Sequence, residues 1–251
     1  MANPHRLPRT VLPRRYALDL TPDLEAATFE GSVDIDVDVA EATNAVSLNA
    51  IELEIDQAWA EVAGQRRPAT VSIDDDAERV TLTFDEPIPP GDAVVSLRFR
   101  GLLNDKLHGF YRSTYRDEDG VERVIATSQM QATDCRRAFP CWDEPDFKAR
   151  FAITLRVDDE LHAVSNAEIQ SDQVLDGQRV VRFAETMTMS TYLVAFIVGP
   201  LEVTEAVDVA GIPLRLLCPP GKLHLTTFGL DVAEFALTYL ADYFDLPYPG
   251  D

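Results

Sequence analysis

Strict alternation of apolar and acidic residues is the feature that most limits the folds open to this chain. Residues 31–39 read Gly-Ser-Val-Asp-Ile-Asp-Val-Asp-Val, and residues 16–20 alternate in the same way. Successive side chains of a β-strand point to opposite faces of the sheet, so a period of two puts the valines and the isoleucine on one face. These segments are therefore predicted to be strands with one buried face and one face in water.

Similar short segments continue along most of the chain. Clusters of Asp, Gly and Pro at 74–76, 87–92, 117–120 and 176–177 separate them and are typical of turns. Many short strands divided by turns predict an all-β fold of antiparallel sandwich or open-barrel sheets. We predict further strands at 45–48, 51–55, 57–62, 70–73, 79–84, 93–99, 121–127, 150–157, 162–165, 178–183, 193–198, 201–206 and 213–217.

The period changes near the end of the chain. From Phe228 to Phe244, apolar residues recur at spacings of three and four, which predicts an amphipathic helix. Thr226 or Thr227 is expected to cap its start, and the prolines at 247 and 249 are expected to end it.

A single helix after a long series of strands predicts a second domain. We place the β domain at residues 1–205 and the start of an α-rich or α/β domain at residues 206–251. The apolar face of the helix needs a covering surface, so we expect more polypeptide to follow Asp251.

Charge and cysteine content exclude several classes of protein. The net charge is −21, from 43 acidic and 22 basic residues, so nucleic acid and anionic membrane surfaces would be repelled. The acids are spread along the chain, which favours a role in solubility, with attraction of a cationic substrate as the alternative. Three cysteines do not make a disulfide framework, and no signal peptide or membrane span is evident. A cytoplasmic protein is predicted.

Residues 129–145 are dense in rare and charged side chains. They read QMQATDCRRAFPCWDEP. Charges placed among so many aromatic residues would be partly buried, so we expect Arg136, Arg137, Asp143 and Glu144 to be paired and to brace the segment. The two cysteines are expected to be small buried side chains rather than a redox pair.

This segment closely resembles the signature of the zinc aminopeptidases related to aminopeptidase N. Five further segments resemble motifs of that family in the expected order: 6–18, 29–33, 107–113, 188–196 and 243–249. The resemblance implies a saddle-shaped, all-β amino-terminal domain followed by the first helix of a thermolysin-like catalytic domain. It also implies that the chain is the substrate-recognition and scaffold portion of an enzyme that removes N-terminal residues from peptides.

The zinc chemistry of that family needs His-Glu-x-x-His on a helix and a distal Glu. This chain has only His5, His108, His162 and His224, and no two of them are four residues apart. We therefore expect no catalytic residue and no metal ligand in this chain. Zn²⁺ and catalysis are expected in the full-length parent, with the catalytic domain of the same polypeptide as partner.

Because the resemblance implies no catalytic residue in this chain, the function that it implies here is substrate binding. In relatives the positions of 129–131 read Gln-x-Glu, and both side chains help to bind the α-ammonium group of the peptide substrate. Gln129 matches, but Gln131 stands where the Glu is expected. An amide oxygen still accepts a hydrogen bond from an ammonium group, but without the strengthening that charge provides. We therefore predict Gln129 and Gln131 as substrate-binding residues with a weakened amino-terminal anchor.

Two other functions stay open at this point. The first is a non-catalytic β-sandwich binding or scaffold module, which the neutral Gln131 favours and the uncovered helix opposes. The second is a catalytically altered relative of the epoxide-hydrolase type, because some relatives open epoxides at the same zinc.

Overall fold

Residues 6–249 are described by the computed structural model, and β-strands dominate them. The strands are β1 (Val11–Asp23), β2 (Thr28–Val39), β3 (Thr43–Asn49), β4 (Leu53–Val62), β5 (Gln65–Asp74), β6 (Arg79–Ile88), β7 (Gly91–Leu102), β8 (Gly109–Arg116), β9 (Glu122–Gln129), β10 (Arg150–Val157), β11 (His162–Ser165), β12 (Ile169–Leu175), β13 (Gln178–Phe183), β14 (Phe196–Gly199), β15 (Glu202–Val203), β16 (Val207–Val209), β17 (Ile212–Leu214) and β18 (Leu217–Cys218). One helix, α1 (Thr227–Phe244), follows them. The predicted all-β fold followed by a helix is confirmed.

Two sheets form the body of the molecule. The larger has ten strands in the order β12-β13-β10-β1-β2-β7-β4-β5-β6-β3, and the smaller has four in the order β11-β14-β9-β8. The larger sheet does not close into a barrel, since β12 and β3 lie at its two ends. Its strands are antiparallel except for β1 and β10, which run parallel. A parallel pair needs a long connection, and the chain between β1 and β10 provides one.

An aromatic cluster joins the two sheets. The ring of Phe29 on β2 lies 5.3 Å from that of Phe110 on β8, and Phe110 lies 5.1 Å from Phe196 on β14. All three belong to one apolar cluster that includes Val33, Ile35 and most other inward-facing strand residues. The strands that carry the candidate site, β8 and β9, are thereby fixed against the larger sheet.

Local strand predictions differ from the structure where burial does not follow a simple alternation. The segments predicted separately at 51–55 and 57–62 form one strand, β4, with an irregularity between Ile55 and Gln57. An extra residue in one strand shifts the side-chain pattern by one, which makes a single strand look like two in the sequence.

Two more differences lie in the second half of the chain. Strand β12 was not predicted, because nearly all its side chains are exposed and no apolar alternation marks it. The strand predicted at 193–198 starts later, because Thr191–Leu193 form a 3₁₀ turn and β14 begins only at Phe196.

The helix begins and ends close to the predicted residues but is not capped as predicted. Thr226 has helical dihedrals and its hydroxyl donates to the Leu223 carbonyl, 2.7 Å away, so it does not cap the helix amides. Asp245 is left-handed, with φ of 50°, and its amide donates to the carbonyls of the last turn. The predicted helix is confirmed and the predicted cap is wrong.

Helix α1 lies against the short hairpin β16–β17, and no residue of it is fully buried. Large apolar side chains, including Phe228 and Phe235, are exposed on it. Within residues 6–249, no helix combines the length and the apolar character needed to cross a membrane. The domain boundary at 205/206 falls between β15 and β16 and stays a prediction.

Two glycines make room for two aromatic rings in the middle of the larger sheet. In the register of β2 with β7, Phe29 lies opposite Gly101 and Gly31 lies opposite Phe99. A Cβ atom on Gly31 would lie 2.6 Å from Cζ of Phe99, and one on Gly101 would collide with the Phe29 ring. Each ring therefore covers the glycine across from it, an arrangement that a side chain at either glycine would prevent.

We expect Gly31→Ala to lower the free energy of unfolding by about 1–3 kcal/mol, because the new methyl group overpacks the buried ring of Phe99. Urea denaturation measures the loss. The matched control is Gly31→Ala combined with Phe99→Leu, since the smaller side chain removes the contact with the Phe99 ring and leaves that with Cδ2 of Leu20, 2.7 Å from the new Cβ. The double variant should lose at least about 0.5 kcal/mol less than the sum of the single variants. Additive losses would contradict the packing explanation.

Candidate functional site

The two predicted substrate-binding glutamines lie side by side at the end of β9. Gln129 is the last residue of β9 and pairs with Gly109 at the start of β8. Gln129 and Gln131 are exposed, whereas Met130 between them is buried. The Nε2 atom of Gln129 donates to the carbonyl oxygen of Gln131 at 3.3 Å. The structure thus brings the two residues together on one exposed edge.

The chain turns sharply after Gln131. The peptide bond between Gln131 and Ala132 is cis, and the amide of Asp134 donates to the Met130 carbonyl at 2.9 Å. Within residues 6–249, no donor contacts the Oε1 atom of either glutamine. Both amide oxygens are therefore free to accept hydrogen bonds from a ligand, and neither carries a charge.

Behind this exposed edge, a buried ion pair holds the segment. Nε of Arg136 donates to Oδ2 of Asp143 at 2.9 Å, and Nη1 donates to Oε2 of Glu78 at 2.8 Å. The Asp143 side chain is only 1% exposed and that of Arg136 11%. Removing these charges from water is costly, so the pair requires the additional hydrogen bonds that surround it.

Those additional bonds come from distant parts of the chain. The Thr191 hydroxyl donates to Oδ1 of Asp143 at 2.7 Å, and the Asp143 amide donates to Oδ1 of Asn49 at 3.2 Å. The backbones of Asn49 and Cys141 exchange two further bonds, of 2.7 and 3.1 Å. The segment is in this way attached to the end of β3 and to the 3₁₀ turn before β14.

The remaining charged residues of the segment are also paired, as predicted. Nε of Arg137 donates to Oδ1 of Asp134 at 2.9 Å, and Nη1 forms an ion pair of 2.9 Å with Glu52. Glu144 accepts from the Leu7 amide at 2.6 Å and pairs with Arg6. The expectation that these residues brace the segment is confirmed.

The thiols of the segment are buried, as expected, and lie beside the ion pair. The Sγ atoms of Cys135 and Cys141 and a carboxylate oxygen of Asp143 all lie within 4.8 Å of one another. Burial raises the pKa of both thiols, and that of Cys135 rises well above its ordinary value. Metal ligation requires thiolates, and the Asp143 carboxylate is already bonded to Arg136 and Thr191. This cluster therefore does not fit a zinc ion.

Sequence reasoning did not identify several residues that hold the segment. Three of them, Glu78, Asn49 and Thr191, lie 48 to 94 residues along the chain from the residue of the segment that they contact. No spacing rule connects them to residues 129–145. The one local feature of the sequence that relates to these contacts is Gly109 at the start of β8. Its φ of 66° is one that favours glycine.

We expect Asp143→Ala to lower the free energy of unfolding by about 3–5 kcal/mol, because it removes one of the two counter-charges of the largely buried Arg136 guanidinium and leaves the buried Thr191 hydroxyl without its acceptor. The matched control is Asp92→Ala. Asp92 pairs with Arg14 at 2.8 Å but is 80% exposed, so its loss should cost less than about 1 kcal/mol. Urea denaturation compares the two, and equal losses would contradict the importance of burial.

We also expect stability to fall at alkaline pH. Burial raises the pKa values of Cys135, Cys141 and Tyr16, so in the unfolded chain these groups release protons at lower pH than in the folded chain. Their contribution is complete below about pH 9, where unfolded thiols begin to ionise, and is lost as the pH rises further. Each such group contributes a slope of up to about 1.4 kcal/mol per pH unit.

Urea denaturation between pH 8 and pH 10.5 measures this slope. Replacing both buried cysteines with alanine should make it shallower, because the unfolded chain then has two fewer thiols to ionise. An unchanged slope in that variant would contradict the assignment to the thiols.

Comparison with known proteins agrees with these features. Residues 12–193 match the Peptidase M1 N-terminal domain. The chain is 42% identical over 244 residues to aminopeptidase M1-C of Oryza sativa subsp. japonica, covering 97% of this chain and 28% of that relative. It is 41% identical over 250 residues to aminopeptidase M1 of Arabidopsis thaliana, with the same coverage.

A relative of lower identity matches over the same share of the chain. The chain is 36% identical over 248 residues to the puromycin-sensitive aminopeptidase of Caenorhabditis elegans, covering 97% of this chain and 26% of the relative. The chain thus spans little more than a quarter of the length of these relatives. Since the family match covers most of the chain and includes the braced segment, the chain belongs to the Peptidase M1 N-terminal domain family.

Proposed function

We propose that this chain is the substrate-recognition and scaffold portion of a zinc-dependent aminopeptidase that removes N-terminal residues from peptides. The observation that carries the proposal is the exposed pair Gln129 and Gln131, whose amide oxygens are free while the rest of the segment is braced. The names of the relatives, all of them aminopeptidases, support it.

The chemistry of the pair suits a peptide amino terminus. An α-ammonium group has three N–H donors and no acceptor, and each of the two glutamine amide oxygens can accept a hydrogen bond from it. The Nε2 atom of Gln129 is already bonded to the Gln131 backbone, which leaves its Oε1 atom as the free end of the amide. In this proposal the ammonium group of a peptide substrate donates to uncharged acceptors on this side of the site.

The proposed scaffold role concerns the contact between this chain and the catalytic domain of the same polypeptide. The catalytic domain of the same polypeptide would begin at about residue 206, and α1 would be its first helix. Exposed Phe228, Phe235 and Phe244 on α1 support this, because aromatic side chains at a helix surface are usually covered by another element. Zinc and its ligands belong to that catalytic domain in this proposal, and this chain by itself is inactive. We place the protein in the cytoplasm.

The test is Gln131→Glu in the full-length protein, assayed with aminoacyl substrates. A charged acceptor binds an ammonium group more strongly than a neutral one by about 1–1.5 kcal/mol, so KM should fall about five- to tenfold. Gln173→Glu on β12 is the matched control, since it adds the same charge at an exposed position on the edge of the larger sheet. Its KM should not change.

Two results would contradict the proposal. An unchanged KM in Gln131→Glu would remove Gln131 from the amino-terminal anchor. Absence of any N-terminal residue release by the zinc-loaded full-length protein would favour the non-catalytic binding module instead, for which the neutral Gln131 is the supporting observation.

A further inference from the structure

The turn that carries Gln131 is held at three points. Met130 is buried behind it, the Asp134 amide closes it by donating to the Met130 carbonyl, and Gln129 continues from β9. Residues 131–133 between these points are exposed. The position of Gln131 therefore depends on what holds Asp134.

A chain of charges connects Asp134 to the larger sheet. Nε of Arg137 donates to Oδ1 of Asp134 at 2.9 Å. The same guanidinium pairs with Glu52 at 2.9 Å and lies 3.9 Å from Glu78. Glu52 directly precedes β4 and Glu78 directly precedes β6, and both are left-handed residues with φ of 58° and 52°. Arg137 thus connects the turn that carries Gln131 to the residues that precede two strands of the ten-stranded sheet.

Because Gly109 has no side chain, the Asp134–Arg137 ion pair can lie close to the start of β8, the strand that pairs with Gln129. A Cβ atom at Gly109 would lie 2.7 Å from Cβ of Arg137 and 3.3 Å from the carbonyl oxygen of Asp134. His108, the preceding residue, places Nδ1 3.6 Å from Oδ1 of Asp134. The Asp134–Arg137 pair is therefore packed directly against the start of β8, where Gln129 has its strand partner.

We propose that Asp134 is a positioning residue for substrate binding, which fixes Gln131 through its ion pair with Arg137 and contacts no substrate itself. This inference rests on the proposed function of Gln131. In this inference the Arg136–Asp143 pair stabilises the fold, and the Arg137–Asp134 pair positions Gln131, which binds the amino terminus of the substrate. The two adjacent arginines thus have different roles.

The experiment is a double-mutant cycle in the full-length protein, with KM and kcat measured on aminoacyl substrates. Asp134→Ala should raise KM about tenfold with kcat within about twofold, because an interaction made equally in the ground and transition states is weakened. Asp134→Asn keeps an oxygen that accepts from Arg137, so it should restore KM to within about threefold of the original. Adding Asp134→Ala to Gln131→Ala should raise KM by no more than about twofold further.

The matched control is Asp172→Ala. Arg179 donates to Oδ1 of Asp172 through Nε at 2.8 Å, with similar partial exposure, but on the β12–β13 hairpin at the edge of the larger sheet. Its KM should be unchanged. Independent, multiplying effects of Asp134→Ala and Gln131→Ala would overturn the inference, as would a loss of kcat and thermal stability with KM unchanged.

Amide hydrogen exchange separates failure of this inference from failure of the proposed function. If Gln131→Ala alone leaves KM unchanged, the proposed role of Gln131 fails, and the position of the turn is then read from exchange in the full-length protein. Asp134→Ala should speed exchange of the backbone amide at position 134 at least about tenfold, and Asp172→Ala should leave the exchange rate of that amide unchanged. Unchanged protection in Asp134→Ala would overturn the positioning role.

Discussion

The buried ion pair between Arg136 and Asp143 is the interaction on which the arrangement of the candidate site depends. The Asp143 carboxylate is almost fully removed from water, and the hydrogen bonds that it accepts from Arg136 and Thr191 offset that cost, while the Asp143 backbone amide donates to Asn49. Each partner comes from a different part of the chain. The pair can be satisfied only when β3, the 3₁₀ turn at 191–193 and residues 135–143 are all in place, so it makes these contacts mutually dependent.

The segment divides its side chains between two tasks. Its charged residues form ion pairs within the segment and with residues just before strands of the larger sheet, while two uncharged amides, Gln129 and Gln131, remain in contact with solvent. The buried thiols beside the ion pair stay protonated, which suits packing and not metal binding. A rigid frame behind a small polar edge is what precise binding of a ligand group requires.

Aromatic contacts hold this edge against the larger sheet. Phe29 of the ten-stranded sheet packs on Phe110, which packs on Phe196, and these two lie on the strands that flank β9 in the four-stranded sheet. The glycine opposite Phe29 admits its ring to the sheet surface. Burial of these rings therefore stabilises the core and positions the site at the same time.

Periodicity in the sequence predicted some secondary-structure elements correctly and missed others. The alternation in 31–39 predicted a half-buried strand, and β2 has its valines and isoleucine buried as expected. The helix at the end of the chain followed from its 3.6-residue period. Strand β12 was missed because both of its faces are exposed, and the bulge in β4 divided one strand into two predicted segments. Periodicity reports burial, so it fails where burial is uniform or where an inserted residue shifts it.

The sequence by itself determined the all-β class and the helix, because side-chain period is a local property, and the resemblance of residues 129–145 to a family motif indicated the residues of the candidate site. Only the tertiary structure decided which partners each charge has. Arg136 and Arg137 are neighbours with the same charge, yet one pairs with a buried carboxylate and the other with the turn that carries Gln131. That difference arises from sheet order, which brings Glu52, Glu78 and Asn49 to the segment, and sheet order is a property of the whole fold.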